Sequence, residues 1–397
     1  MPAFALILAA GFSSRMAPHF KPLLELPFSG GPATALARLC ALYRSEGVEP
    51  LVVGGHRFEE TRAAAQACEA RFALNPKPEQ GMLSSVKAGL CALPEDCTAF
   101  FVHPVDVPLV RRMTIRLVLE ATKQNHAKIF IPSFQGKAGH PPLIRGELRQ
   151  ILLEKDSADG LRGLLREYGG KAQTVATADS FILKDMDNAE AYRTLCGLAP
   201  TLDCLAPQEA EALLELLDVP PKGMAHARAV AALASAFTDA LNEAKNAGLD
   251  RRLARSGALL HDMCKGQPKH EEAAGRLLRG WGLERMARLV EDHRDIDLPP
   301  DMPLTERELI FLADKYVYGS RPVSLEQRFE QKLELYADST EACEAIRARR
   351  GRAIAMARRF AEESGTAPET TASDVLAPAL SDVGDMGLPV KMCEYSS

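Results

Sequence analysis

The sequence predicts two structural parts: an α/β domain with a mostly parallel sheet, followed by an all-α domain. Three observations carry this. The chain has 397 residues, more than one ordinary core organises. Up to about residue 195, short apolar runs alternate with helical patterns, the signature of parallel strands covered on both faces. From about Gln208 to Ala361, Leu and Ala recur at three- and four-residue spacing throughout.

In order, Phe4–Leu8, Pro50–Val53, Ala99–Val102 and Lys128–Ile131 are read as strands. Thr34–Gly47, Phe58–Arg71 and Met113–Asn125 are read as the helices between them. The change of pattern after Leu195 makes Gly197–Pro200 the expected linker, with Pro207 opening the first helix of the second domain. Pro220-Pro221 and Pro299-Pro300 are internal breaks. These signals set the domains at residues 1–197 and 203–364. Residues 365–397, rich in Ser, Thr, Pro and Gly, are expected to be a loosely ordered tail.

Composition narrows the function classes. Hydrophobic residues at 46% and charged residues at 25% exclude a disordered chain. A net charge of -5 gives no general electrostatic case for nucleic-acid or membrane binding. No stretch is long and apolar enough to span a bilayer. Met1–Ala10 lacks a basic n-region and runs into a glycine-containing loop, so it reads as a buried strand rather than a signal peptide. The nine cysteines include no CxxC pair, which argues against a zinc ribbon or disulfide framework and makes the cytoplasm the simplest location.

The first candidate site follows the first strand. Leu8-Ala9-Ala10-Gly11-Phe12-Ser13-Ser14-Arg15-Met16 leads to Lys21-Pro22-Leu23. Small residues after a strand let backbone N–H groups approach phosphates, and Arg15 and Lys21 bring two cations to the same loop. A triphosphate needs that charge neutralised while pyrophosphate leaves. Taken alone, the segment also fits an ordinary tight turn.

These residues resemble the MobA-like nucleotidyltransferases, whose opening motif is LxAGxxxRM followed by a lysine, and the resemblance continues over roughly the first 195 residues. Asn75-Pro76, Gln80-Gly81-Met82 and Ser84-Ser85-Val86-Lys87-Ala88-Gly89-Leu90 are similar to the family's base- and ribose-recognising segment. Val102-His103-Pro104-Val105-Asp106-Val107-Pro108 looks like its metal motif, with His-Pro-Val where Gly is commoner. Gly139-His140-Pro141 matches the GHP loop of the MocA branch, which implies acceptor binding. Asp185-Met186-Asp187-Asn188-Ala189-Glu190 looks like the family's DIDTPE segment, with Asn-Ala for Thr-Pro.

The resemblance implies a Rossmann-like fold in which Asp106 and Asp187 share one Mg²⁺, while Arg15 and Lys21 offset triphosphate charge. The loop Leu8, Ala9, Ala10 and Gly11, with Asn75, Ser84, Ser85 and Asp106, would bind the nucleotide. The acceptor's own phosphate would attack the α-phosphorus, so positioning and charge would carry most of the rate. Leu8-Ala9-Ala10-Gly11 together with Gly139-His140-Pro141 resembles the family's cytidylyl branch, which implies CTP over GTP, and the family resemblance implies molybdopterin as acceptor and a molybdoenzyme or its chaperone as partner. Guanylyl transfer, or cytidylyl transfer to a phosphonate or phosphocholine, remains the rival reading. A purely structural role also stands open for His103, and a loop-bracing one for His140.

The second candidate site lies in the helical half, where His226, His261-Asp262, His270, His293 and Asp314 follow in order. Imidazole and carboxylate are the ligands of Mn, Fe, Zn and similar divalent ions. This order resembles the HD superfamily, and Leu259-Leu260-His261-Asp262-Met263-Cys264-Lys265 and Phe311-Leu312-Ala313-Asp314 are similar to its ligand segments. His270-Glu271-Glu272-Ala273-Ala274-Gly275 is similar to its HxxxG segment but one residue longer.

The similarity covers about Gln208–Tyr336 and points to HD hydrolases that cleave nucleotide phosphoanhydrides. It implies that His226, His261, Asp262 and Asp314 hold one metal, and Asp262, His270 and His293 a second, drawn from Mn, Fe, Zn, Ni or Mg. Lys265 would balance charge on the substrate phosphate or on a carboxylate. Arg276, Arg279, Arg285 and Arg288 read as a solvated helix face. The pairing of the two halves admits a phosphohydrolase or a nucleotide-sensing regulatory module as the role of the second.

Overall fold

A computed structural model of the chain describes residues 3–168, 170–291, 296–297, 299 and 302–376. It divides into two compact units. Unit 1 comprises residues up to Asp218 together with Ala273–Arg288; unit 2 comprises Val219–Glu272 and the chain from Leu289.

Unit 1 contains the strands β1 (Ala3–Ala9), β2 (Glu25–Phe28), β3 (Gly31–Thr34), β4 (Glu49–Gly54), β5 (Arg71–Leu74), β6 (Ala99–Pro104), β7 (Ile129–Phe134), β8 (Lys137–Ala138), β9 (Leu143–Arg145) and β10 (Gln173–Ala176). The main sheet runs β10-β7-β9-β6-β1-β4-β5, with β8 on β7, and β2–β3 form a separate hairpin. The β1–β4, β1–β6, β4–β5 and β7–β10 pairs are parallel; β9 runs antiparallel between β6 and β7. The central strands are apolar on both faces because helices cover both, and Ala5, Leu6, Ile7, Phe100 and Phe101 are fully buried. Gly89 lets the helix Met82–Ala92 lie close on the sheet: a Cβ there would fall 2.9 Å from Val53 Cγ2 and 3.1 Å from Leu6 Cδ2.

After β1 the chain builds β4 and β5 on one side and β6 on the other, so the strand order reverses at β1–β6. Leu8 pairs with Pro104 there, and the loops leaving both strands open at one edge. That is the crevice where open α/β sheets bind ligands.

The expected strands and helices of this half form, with one correction. The helix expected over Phe58–Arg71 stops at Ala67, and Arg71 opens β5. Ala70 N bonds back to Ala65 O, ending the helix, and Arg71–Leu74 pairs in parallel with β4 at the edge of the sheet.

Unit 2 is helical. The helix Pro221–Lys245 packs against Arg251–Leu260, Glu306–Lys315 and Thr340–Ser364, burying Phe237, Phe311 and Phe360. It starts at Pro221, whose fixed φ suits a first helical position. A short hairpin, Val317–Tyr318 with Arg321–Pro322, interrupts the helical pattern expected throughout.

Two boundary expectations change. Gly197–Pro200, expected as a linker, continues the helix Ala189–Leu198 into a helical turn with Ala199 buried. The helix Pro207–Leu216 clusters with unit 1, because buried Arg111 donates to Glu209 at 2.8 and 3.1 Å and to the carbonyls of Leu202 and Cys204. Part of the expected tail is also ordered: Pro368–Leu376 is a helix that buries Ala372 and Leu376. Residues 377–397 lie outside the described residues, as do His293 and part of the Pro299-Pro300 break.

Candidate active sites

In unit 1 the β1–β6 crevice forms a cleft lined by Leu8, Ala9, Ala10, Gly11, Ser13, Lys21, Ser85 and Asp106, among others. A Cβ built on Gly11 meets no protein atom within 4 Å, so the loop presents bare backbone to open space. Lys21 lines the cleft. Its Nζ donates to Asp106 Oδ2 at 3.1 Å and to Asp187 Oδ1 at 2.7 Å, while Arg15 pairs with Asp187 Oδ2 at 2.8 Å.

Local sequence fixes each of these groups. Ser13 Oγ accepts from Lys21 N at 3.2 Å, closing the loop on itself. Asp106 O accepts from Met186 N at 2.8 Å, tying the two carboxylate segments together. Asn188 caps the next helix through Glu190 N and Ala191 N, which holds Asp187 just outside the helix start. Burial alone would lower the Lys21 pKa, but its bonds to Asp187 and Asp106 outweigh this and raise it. The Lys21 bond pulls the Asp187 carboxyl down, aided by Arg15. Two carboxylates converging on one cation match magnesium's preference for one or two protein carboxylates plus phosphate oxygens.

The other residues expected here divide into wall and brace. Asn75 is buried and spends its amide on Ser84 Oγ (2.8 Å), Ser85 Oγ (3.0 Å) and Lys77 N (2.9 Å). It therefore braces the loop, while Ser85 faces the cleft. Gly139 packs so tightly that a Cβ would sit 2.5 Å from Ile182 O, and His140 N donates to that same oxygen at 2.9 Å. Burial lowers the His140 pKa against the pull of Asp106 and Asp185, and its Nδ1 is buried without a hydrogen-bond partner among the described residues.

His103 lies wholly in the core. Its Nε2 donates to Val107 O at 2.9 Å, a carbonyl that can only accept, so Nδ1 accepts from Tyr43 OH at 2.7 Å. Burial pushes its pKa down from 6.5 to about 3. The unfolded chain therefore takes up a proton that the folded one refuses between those values. We predict that His103's contribution is complete above pH 6.5 and is lost on acidification at up to about 1.4 kcal/mol per pH unit. Urea titrations between pH 7 and 4 measure this, and His103→Gln flattens that part of the profile; an equal slope in the variant contradicts the assignment.

In unit 2, caps aim the ligands. Asp250 caps Arg251–Leu260 through Arg252 N and Leu253 N, delivering His261 and Asp262 at its far end. Glu308 reaches back to Thr305 N at 3.0 Å, starting the helix that delivers Asp314. His226 Nδ1 donates to Gly319 O at 2.8 Å and His261 Nδ1 to Ala258 O at 2.6 Å, so both Nε2 atoms turn toward the carboxylates as lone-pair donors.

His226 Nε2 is 3.3 Å from Asp314 Oδ1, and His261 Nε2 is 3.5 Å from Asp262 Oδ2. Ligand atoms of His226, His261 and Asp262 all lie within 4.8 Å of one another, so the donor set fits a divalent ion. His270 Nε2 is 3.4 Å from Asp262 Oδ1, on the opposite oxygen, and Lys265 Nζ bonds Asp262 Oδ2 at 2.5 Å. Burial would raise the Asp314 carboxyl, but the Lys315 and Arg328 cations hold it well below the usual range.

Sequence reasoning missed three features. The buried Arg111–Asp179–Glu209 cluster gave no local motif, since its members come from three distant segments. Arg285, read as solvated, pairs with Asp203 at 2.7 Å. Arg328 and Lys332, four residues apart on the helix Leu325–Leu335, line a cavity beside the metal-ligand group, and their spacing was the available signal.

Comparison with known families decides the assignment of both halves. Residues 5–173 match the MobA-like NTP transferase domain, and residues 223–319 match the HD domain. The chain joins a MobA-like NTP transferase domain to an HD domain. A curated relative, the bifunctional protein GlmU of Corynebacterium aurimucosum, is 28% identical over 196 residues, covering 46% of this chain. The match spans only 38% of that relative's length.

Among solved structures, Rv0371c from Mycobacterium tuberculosis H37Rv is 20% identical with a TM-score of 0.42, over 50% of this chain and 98% of its own. A nucleotidyl transferase from Methanothermobacter thermautotroptrophicus is 23% identical with a TM-score of 0.42, over 49% of this chain and 96% of its own. Among the described residues no helix is long and apolar enough to cross a membrane.

Proposed function

We propose that the MobA-like domain transfers a nucleotidyl group, CMP from CTP by preference, to a phosphorylated acceptor such as molybdopterin. The HD domain would hydrolyse phosphoester or phosphoanhydride bonds with a divalent metal. The observation that carries the first half is Lys21 gripping both Asp106 and Asp187 beside the bare Gly11 backbone. Magnesium held by Asp106 and Asp187 would supply charge neutralisation and alignment of triphosphate oxygens.

The chain's own groups do the rest. Lys21 and Arg15 offset the negative charge that grows on the departing pyrophosphate. The Leu8–Gly11 loop leaves room for the phosphates. The His140 loop, under the electrostatic influence of Asp106, would position the acceptor, whose phosphate oxygen bonds to the α-phosphorus as the bond to pyrophosphate breaks. No side-chain nucleophile is required. The preference for CTP rests on the Leu8-Ala9-Ala10-Gly11 and Gly139-His140-Pro141 motifs.

The test is pyrophosphate release with Mg²⁺, each of CTP, GTP, ATP and UTP, and molybdopterin. Release with CTP is expected. Release with GTP alone would reassign the base, and none with any nucleotide would end the molybdopterin reading. For the HD half, His261→Ala and Asp262→Ala should abolish phosphate release while transfer persists. Altered control of transfer instead would make this half a nucleotide-sensing module.

A further inference from the structure

Unit 2 opens a cavity of 680 Å³ beside the metal-ligand group. Asp262, His270 and Asp314 line it, together with Lys265, Lys269, Lys315, Arg328, Lys332 and Arg349. Lys265 sits on Asp262, Lys269 on Glu272 (3.0 Å) and Lys315 on Asp314 (2.7 Å), and Arg328 reaches Asp314 Oδ1 at 3.8 Å. Three of the cavity's cations cluster on one pair of elements. Arg328 and Lys332 share a face of Leu325–Leu335, and Arg349 comes from Thr340–Ser364, which packs against it. All three lie beyond residue 319, where the HD match ends.

We propose that Arg328, Lys332 and Arg349 form a second-phosphate subsite, so that unit 2 selects nucleotides carrying two or more phosphates over monophosphate esters. This rests on the hydrolase reading of the metal-ligand group. Three cations gathered on one wall of a partly enclosed space favour an entering polyanion. Burial first, then Lys315, Arg328 and Arg349 against the pull of Asp314, pushes the Lys332 pKa from 10.5 down to about 8. Tyr336 and Ile346 add an apolar edge to the same cavity, suited to a nucleobase.

With the terminal phosphate at the metal-ligand group, a water oxygen bonds to its phosphorus and the bridging P–O bond breaks. The departing phosphate, held by the three cations, keeps the bridging oxygen and its electron pair and takes up the proton released by water. One water is consumed and nothing is oxidised.

The full chain loaded with Mn²⁺ tests this, with ADP and p-nitrophenyl phosphate as the two probes and Lys332→Met and Arg349→Met as variants. Methionine keeps the aliphatic packing and removes repulsion, so the fold is retained. The ratio of kcat/KM for ADP to that for p-nitrophenyl phosphate should fall about tenfold or more in each variant. An unchanged ratio overturns the subsite.

Calorimetric binding of ADP, in an Asp106→Ala background that removes nucleotide binding at the other site, separates the two readings. If the wild type releases no phosphate from either probe, the hydrolase reading fails. The subsite then stands if Arg349→Met and Lys332→Met weaken ADP binding about tenfold, and falls if they leave it equal.

Discussion

Lys21→Met lowers nucleotidyl transfer by about 10²- to 10³-fold, read as pyrophosphate release at saturating nucleotide and metal. The ammonium touches both Asp106 and Asp187, so its loss leaves two carboxylates facing an incoming triphosphate without their shared cation. Ground-state repulsion rises and the departing pyrophosphate loses a counter-charge. The Asp187 carboxyl, held low chiefly by Lys21, moves upward, so the acid limb of the pH–rate profile should shift to higher pH in the variant. Arg15 also reaches Asp187 but is largely exposed, and Arg15→Met should cost much less. A Lys21→Met protein with normal transfer would remove Lys21 from the machinery.

Arg111→Met destabilises unit 1 by about 3–5 kcal/mol, because it strands buried carboxylates rather than removing a surface pair. Arg111 is 3% exposed and bonds Asp179, Glu209 and the carbonyls of Leu202 and Cys204. Burial would raise the Glu209 pKa, but Arg111 and the Ser180 and Ala206 amides hold it below the usual value. Glu209 therefore contributes its stability above its unfolded pKa and loses it as pH falls through the lower folded one. The measurement is the urea midpoint of the unit 1 transition at pH 7. Adding Glu209→Met to Arg111→Met should recover part of the loss, since one stranded charge is then gone. A midpoint shift below about 1 kcal/mol would place this cluster among weak, solvent-screened pairs.

How much of this was legible in the sequence depended on whether the signal was local. The strands at Phe4, Pro50, Ala99 and Lys128 showed because apolar runs buried on both faces cannot be mistaken for surface. Arg71–Leu74 was absorbed into the preceding helix, since a four-residue edge strand has too short an alternation to stand out. The motif residues Lys21, Asp106 and Asp187 could be named, but that Lys21 bridges both carboxylates depends on a register across 166 residues of chain. His103 could not be resolved from sequence, because only its two hydrogen bonds distinguish a core histidine from a ligand. The assignment of Pro207–Leu216 to the first unit was hidden for the same reason: Glu209 reads as a surface helix residue until Arg111 is placed beside it.

The most direct measurement is the shift in the unfolding transition of unit 1 with Mg²⁺ and each of CTP, GTP, ATP and UTP, alongside Asp106→Ala. A nucleotide at 100 times its dissociation constant adds about 2.7 kcal/mol. The account predicts that CTP produces this shift selectively and that Asp106→Ala abolishes it. No shift with any nucleotide, or an undiminished one in Asp106→Ala, would contradict a nucleotide site built on Lys21, Asp106 and Asp187.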